Sequence, residues 1–464
     1  MKRLLPIFEW LPRYQRSDLR YDVIAGVTVS ALVVPKALGY AGIALIPIQN
    51  GLYAAAAGAL IYAIFGTSRQ ISTGPSSAIA AVAASAVVTT GLPADEAPQL
   101  VAAVTLMAGV LFLALSVLKM GWISRFLSKA VITGFLFGAA IEVVVGELPK
   151  TTGTEASGEN SWREFASWWN SLDSFHGTTL LVGAVALGAI LAMRFIWPRV
   201  PGALVLVVGG LVAAQVFNLA DRGVATVGEV PRGVPAPAFP GLSVFTENFP
   251  TITVAAIALL LIGFSQTAGD ARMFASRHKY RIDVDQESLA QGMSNVGSGL
   301  FQGMPVSTSL SASSLSDSTG ARTQMSSVVT GAMVILTLLV FAPLFSDLPK
   351  PVLAAIIIDA VVFGMMDVAE MRRLWRVARV DFWIAIGAIL GVLTSGVLAG
   401  VIIGIVLSLG WLVYVNARPR PPSLAVVLGP PRSARSSSTR TTRPIPGFSC
   451  LASMAASTSP RPRC

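Results

Sequence analysis

Long apolar runs, separated by short polar or Gly/Pro-rich stretches, recur from about Tyr21 to Asn416. They do not alternate apolar and polar positions, so they read as helices rather than strands. Fourteen segments are expected, near 21–38, 51–66, 74–90, 98–118, 123–145, 177–196, 201–219, 250–270, 286–302, 306–317, 322–345, 350–366, 381–395 and 397–416. Several are shorter than the roughly 20 residues that cover a hydrocarbon core. The pattern predicts an all-α polytopic membrane protein. Past Ala417 it stops: PRSARSSSTRTTRP has no hydrophobic period and cannot build a core, so 418–464 reads as a disordered basic tail.

Two of the shortest segments, the third and the tenth, carry nearly the same text: STGPSS at Ser72–Ser77 and STSLSASS at Ser307–Ser314. Irregular backbone is tolerated at membrane depth only where protein or a water-filled cavity covers it. Paired, Gly/Pro-interrupted short spans in the two halves of a chain point to a transporter's binding site. A half-helix starting mid-membrane presents unpaired N–H groups and roughly half a positive charge. Two such ends facing each other make an anion site without a fixed cation. Thr73, Gly74, Ser76 and Ser77 on one side, and Ser307, Thr308, Ser309 and Ser311 on the other, would add donors. Gly74–Pro75 suits a helix start, because Pro has no N–H to leave unpaired in the first turn. The bland alternative is that small residues only let helices pack closely.

Composition agrees with the pattern. Of 464 residues, 53% are hydrophobic and 12% charged, against about 25% charged in soluble domains. No signal peptide is evident in 1–20, so the first span is expected to direct insertion. The net charge of +10 says little about partners: eight tail arginines leave +2 for the rest, and no nucleic acid is implied. Both cysteines (Cys450, Cys464) lie in the tail, and the histidines, His176 and His278, fall in predicted loops. No cofactor, metal cluster or nucleophile–base set is suggested, so an enzyme is not expected.

Charge also sets an expected orientation. With the N-terminus inside, cytoplasmic ends hold 20 Lys/Arg before the tail, and the opposite side holds five: Lys150, Arg163, Arg222, Arg232 and Lys350. That asymmetry predicts both termini in the cytoplasm, a cell inner (plasma) membrane location, and an external loop at 146–176. Repeat one (21–219) and repeat two (250–417), joined by an external connection at 220–249, would each hold seven spans. An odd number per half inverts one against the other.

The chain resembles the SulP (sulfate permease and inorganic anion transporter) family. The resemblance is carried by AGVTVSALVVPKALGYAGIALIPIQNGLYAA (25–55), GTSRQISTGPSSAIA (66–80) and QESLAQGMSNVGSGLFQGMPVSTSLSASSLSDSTGARTQ (286–324). It covers about 20–416 and implies a fourteen-span, seven-plus-seven inverted repeat with core and gate domains. It also implies a cytoplasmic STAS domain after the spans. Here RPRPPSLAVVLG and IPGF look like its beginning, but the Arg/Ser/Thr/Pro-rich remainder predicts no folded STAS domain, as a shifted frame or truncation would leave. Family members are typically homodimers, in part through that domain.

The ionisable residues inside spans refine the expectation. Lys36 interrupts the first span, where a cation costs about 3 kcal/mol even on lenient scales and is functional by default. The resemblance implies a polar residue such as Gln there, and Arg at the position of Ala312. Lys36 then replaces that Arg as the fixed charge near the substrate; the alternatives are snorkelling or a structural ion pair. Gln266 stands where many members have Glu, so the usual coupling carboxylate is absent. Glu142, Asp270 and Asp359 are the coupling candidates, each with a structural pairing as the alternative, and Asp317 reads as a loop residue or cap.

The expected function is secondary active transport of a small inorganic or organic anion (sulfate, bicarbonate or dicarboxylate class) by alternating access. The coupling partner, if there is one, is a proton or sodium ion. Two readings stand beside it: a uracil/xanthine-type nucleobase permease of the same fold, and a transport-inactive membrane protein.

Overall fold

The computed structural model describes residues 5–120, 129–158, 160–197 and 200–417. The tail expected to be disordered, Arg125, and the start of the fifth predicted span lie outside them. Met1–Ser408 forms one compact unit and Leu409–Cys464 a second, of which 409–417 is described, as the end of the last helix.

The first half reads α1 (Arg16–Ile43), α2 (Ile48–Phe65), a two-residue strand β1 (Thr73–Gly74), α3 (Ser77–Thr90), α4 (Ala97–Val117), α5 (Lys129–Thr152), α6 (Gly177–Ile196) and α7 (Gly202–Val216). The second reads α8 (Phe249–His278), α9 (Val284–Leu300), β2 (Ser307–Thr308), α10 (Leu310–Ser318), α11 (Met325–Leu336), α12 (Lys350–Met365) and α13 (Arg379–Ala417). The order helix, helix, short strand, short helix, helix therefore occurs twice. Among the described residues, nine helices are long and apolar enough to cross a membrane, and Ser77–Thr90 and Gly202–Val216 are apolar but shorter.

Local chemistry sets the ends. Pro98, Pro250 and Pro351 occupy first turns, where a missing N–H leaves no bond unmade. Gly91, at φ 62°, closes α3 in the left-handed conformation that costs Gly nothing. The eleventh predicted span, 322–345, is not one α-helix. After α11 the chain passes through a π turn at Thr337–Phe341 and a 3-10 stretch at Ala342–Asp347, because Pro343 can neither donate to the α ladder nor avoid the carbonyl four residues back. The thirteenth and fourteenth spans share α13, broken where expected by Gly396 at φ 83°, ψ 167°.

Two segments expected as loops contain helices. Ser161–Asn170 lies inside the predicted 146–176 loop, capped by the Asn160 side chain accepting from Arg163 N. Val368–Val377 follows α12 and is capped by Asp367 accepting from Glu370 N at 2.8 Å. Both put aromatic or aliphatic residues on one face and charge on the other, the pattern of helices that lie along a bilayer interface. The fifth and eighth spans also run further than expected, to Thr152 and His278.

The helices sort into two bundles. In one, α9 packs on α2 and α4, α11 on α1 and α2, α8 on α3 and α4, and α10 on α1. In the other, α12 packs on α5, α6 and α7. The seam between them is drawn by α12 against α1 and α3, and by α7 against α1. Leu181, Val185, Val208 and Val212 on α6 and α7 are more than half exposed or close to it, as side chains facing lipid would be.

Candidate functional site

The two Ser-rich segments meet. β1 and β2 pair antiparallel, Thr73 opposite Thr308 and Gly74 opposite Ser307. Ser309 N donates to Ser72 O at 3.0 Å, and Ser72 N donates to Ser313 Oγ at 2.9 Å, which carries the pairing one residue past Thr73 and Thr308. From this short ribbon α3 and α10 depart, so their N-termini flank one point. Ser309 caps α10 by accepting from Ala312 N; Ser76, at the equivalent place before α3, makes no side-chain cap.

α9 holds the second segment in place. Glu287, Gln291, Asn295 and Ser298 recur at helical spacing along it and are buried. Asn295 Nδ2 donates to Val306 O at 2.9 Å, Val306 N returns a bond to Asn295 Oδ1 at 3.0 Å, and Gln291 Nε2 also donates to Val306 O. Ser298 Oγ donates to Met304 O at 2.6 Å. One turn earlier, Glu287 accepts from Thr67 N (2.9 Å), Ser68 N (3.1 Å), Thr67 Oγ1 and Tyr62 OH, anchoring the chain that leads into β1. None of these four residues was expected as part of the site, although their polar row on an otherwise small-residue span is a visible signal.

The hydroxyls of the site bond to one another and to α8. Ser76 Oγ and Ser307 Oγ are 3.3 Å apart; Ser307 Oγ donates to Gln266 Oε1 at 3.1 Å, and Thr308 Oγ1 donates to Asp270 Oδ2 at 2.8 Å. Asp270 is thus bonded to the ribbon. Lys36 Nζ donates to Ser311 Oγ at 3.0 Å. Lys36, Tyr40, Thr73, Gly74, Ser309 and Ala312 line one small pocket. Thr73 Oγ1 is buried with no partner, which is uncommon for a buried polar atom. Ser77 is buried at the start of α3. Every expected binding residue therefore gathers on the ribbon or on the α1 and α8 walls beside it.

The other ionisable residues lie elsewhere. Asp359 on α12 is in a bidentate pair with Arg194 on α6 (2.7 and 2.6 Å). Glu142 sits on α5 in the second bundle, with Oε2 unpartnered. Outside the spans, burial raises the Glu164 carboxyl, with Lys150 pulling the other way. Asp317 is not a loop residue: inside α10 it accepts from Arg277 (2.9 Å) and His278 (2.6 Å), which α8, longer than expected, brings within reach. A cavity of about 1230 Å³ is separate from the ribbon and lies among Trp10, Arg69, Arg281, Asp317 and Arg322. No group of three or more His, Cys, Asp or Glu among the described residues could hold a metal ion.

Comparison with known proteins adds three findings. The model of the sulfate permease family matches residues 19–388. A protein named "Probable sulfate transporter" from Mycobacterium tuberculosis is 33% identical over 419 residues, covering 90% of this chain and 74% of its own length. Two solved structures share the fold. The murine Slc26a9 anion transporter in its inward-facing state gives a TM-score of 0.81 at 22% identity, covering 89% of this chain and 71% of its own. The transmembrane domain of the cyanobacterial bicarbonate transporter BicA gives 0.74 at 21%, covering 86% of this chain and 99% of its own.

Proposed function

The chain belongs to the sulfate permease family, and from that premise we propose that it carries a small anion across the cell's inner membrane by alternating access. The anion is held between the opposed N-termini of α3 and α10. The observation that carries this reading is the antiparallel pairing of Thr73–Gly74 with Ser307–Thr308, which turns two helix dipoles toward one place beside the Lys36 ammonium.

Lys36 supplies the fixed charge. It shares a pocket with Ala312, the position at which the family resemblance implies an Arg. Replacing Arg by Lys keeps the charge and gives up the planar fork, so recognition rests on a point charge and surrounding hydroxyls. Ser76 and Ser307 can turn their O–H groups toward a bound oxyanion by giving up their bond to each other, and Ser311 by giving up its contact with Ser309. Sulfate, bicarbonate and a dicarboxylate all fit this chemistry. Gln266 cannot titrate, which leaves Asp270, bonded to Thr308 and one turn further along α8, as the carboxylate nearest the ribbon and the candidate for coupling. A nucleobase is disfavoured, because carboxylates free to bond the base are not what lines the pocket.

The test is uptake of labelled sulfate, bicarbonate and fumarate into proteoliposomes, with and without a pH or sodium gradient. Saturable uptake of at least one, lost in a Lys36→Ala variant, is the expected result. Absence of saturable uptake of all three would support the transport-inactive alternative instead.

A further inference from the structure

A second set of charges stands across the seam from Lys36. Asp359 accepts both arms of Arg194, Nε to Oδ1 and Nη2 to Oδ2. The guanidinium lies over the Phe363 ring, 4.3 Å from its centroid, which fixes its plane. A bidentate pair joining α6 to α12 could serve only to tie two helices together. Its position says more. α12 runs close against α1, where a Cβ on Gly39 or Gly42 would meet Ile357 at 3.2 or 3.3 Å. It also approaches the start of α3, where a Cβ on Gly364 would lie 4.0 Å from Ser77 Oγ. Asp359 falls on the stretch of α12 between those contacts, opposite the part of α1 that carries Lys36 and Tyr40. Across this contact the Asp359 carboxylate attracts the Lys36 ammonium and the Arg194 guanidinium repels it. Two cations thus share one carboxylate, and Arg194 holds it directly.

We propose that Asp359 is the resident counter-anion of the anion site and that Arg194 holds it away from Lys36. This pair would then set how strongly the site attracts its substrate. The proposal rests on the reading that an anion binds at Lys36. Neutralising Asp359 leaves Lys36 and Arg194 both uncompensated, so attraction for an incoming anion rises. Neutralising Arg194 releases Asp359 to turn toward Lys36 and compete with the substrate. The two changes act with opposite sign on affinity, whereas a pair that only ties helices together gives the same sign for both. Asp359 and Arg194 are positioning residues in this account, acting through Lys36.

The experiment is equilibrium binding of radiolabelled sulfate to the full chain in nanodiscs, with bicarbonate and fumarate measured by competition or directly, alongside thermal unfolding. Asp359→Asn is expected to bind about tenfold more tightly and to release more slowly, and Arg194→Gln to bind about tenfold more weakly. The double variant returns near the wild-type affinity. Both single variants are expected to unfold at lower temperature, so Asp359→Asn is less stable yet binds better, which a purely structural role does not produce. Arg194→Lys keeps both charges and the fold but loosens the bidentate grip, and is expected to weaken binding about threefold. Single variants that shift affinity in the same direction, or Arg194→Lys leaving it unchanged while the wild type binds, would overturn the proposal. A wild type that binds none of the three anions overturns the site reading itself, and this proposal with it.

Discussion

Lys36 sits in the second half of a 28-residue helix with its ammonium on Ser311, a residue 275 positions away. If it is the fixed charge of the site, Lys36→Ala should lower anion affinity at least tenfold while Lys36→Arg retains much of it. A pair of sulfate titrations checks this. Glu287 plays a different part. Its fully buried carboxylate accepts from four donors, so Glu287→Ala leaves them without an acceptor and should cost roughly 3 kcal/mol of stability, read as a lower unfolding midpoint in detergent. Lys36 and the paired hydroxyls were legible because a cation in an apolar run and a repeated STxxSS-like text are local signals. Arg194 was not, since its meaning depends on Asp359, 165 residues later and on another helix. Asp359 was noticed alone, and only the fold supplies its partner.

At the scale of elements, α9 works as a template for β2. Its polar row satisfies the N–H and C=O of Val306 and the C=O of Met304. Asn295→Leu removes two of those bonds, both to Val306, without changing the volume much. It should lower stability by about 1–3 kcal/mol and cut anion affinity sharply, since the ribbon loses its backing. The same binding and unfolding assays read both effects. Gly396 is a separate case: at φ 83°, ψ 167° it sits where only Gly is at ease. Gly396→Ala should cost about 1–3 kcal/mol, seen as a lower midpoint with little change in binding. Element positions were largely legible from hydropathy. The exceptions have identifiable causes: Pro343 broke an apolar run that composition alone made continuous, and two amphipathic helices hid in segments too polar to look like spans. Their caps, Asn160 and Asp367, were the available signal.

For the whole molecule, two bundles meeting along α12, α1 and α3 give the proposed alternating access a place to occur, with the ribbon in one bundle and the Arg194–Asp359 pair in the other. The repeated element order was visible in sequence. The seam was not, because it depends on which apolar faces meet, and those faces are chemically alike. The central claim is that the anion rests between the starts of α3 and α10. Selenate, a sulfate analogue with a strong anomalous signal, tests it most directly in crystals of the full chain grown at concentrations that saturate uptake. The account predicts one anomalous peak within hydrogen-bonding distance of the Gly74–Ser77 and Ser307–Ser311 segments and of Lys36 Nζ. A saturable transporter whose selenate peak lies elsewhere, for example in the cavity beside Arg69 and Arg281, would contradict it.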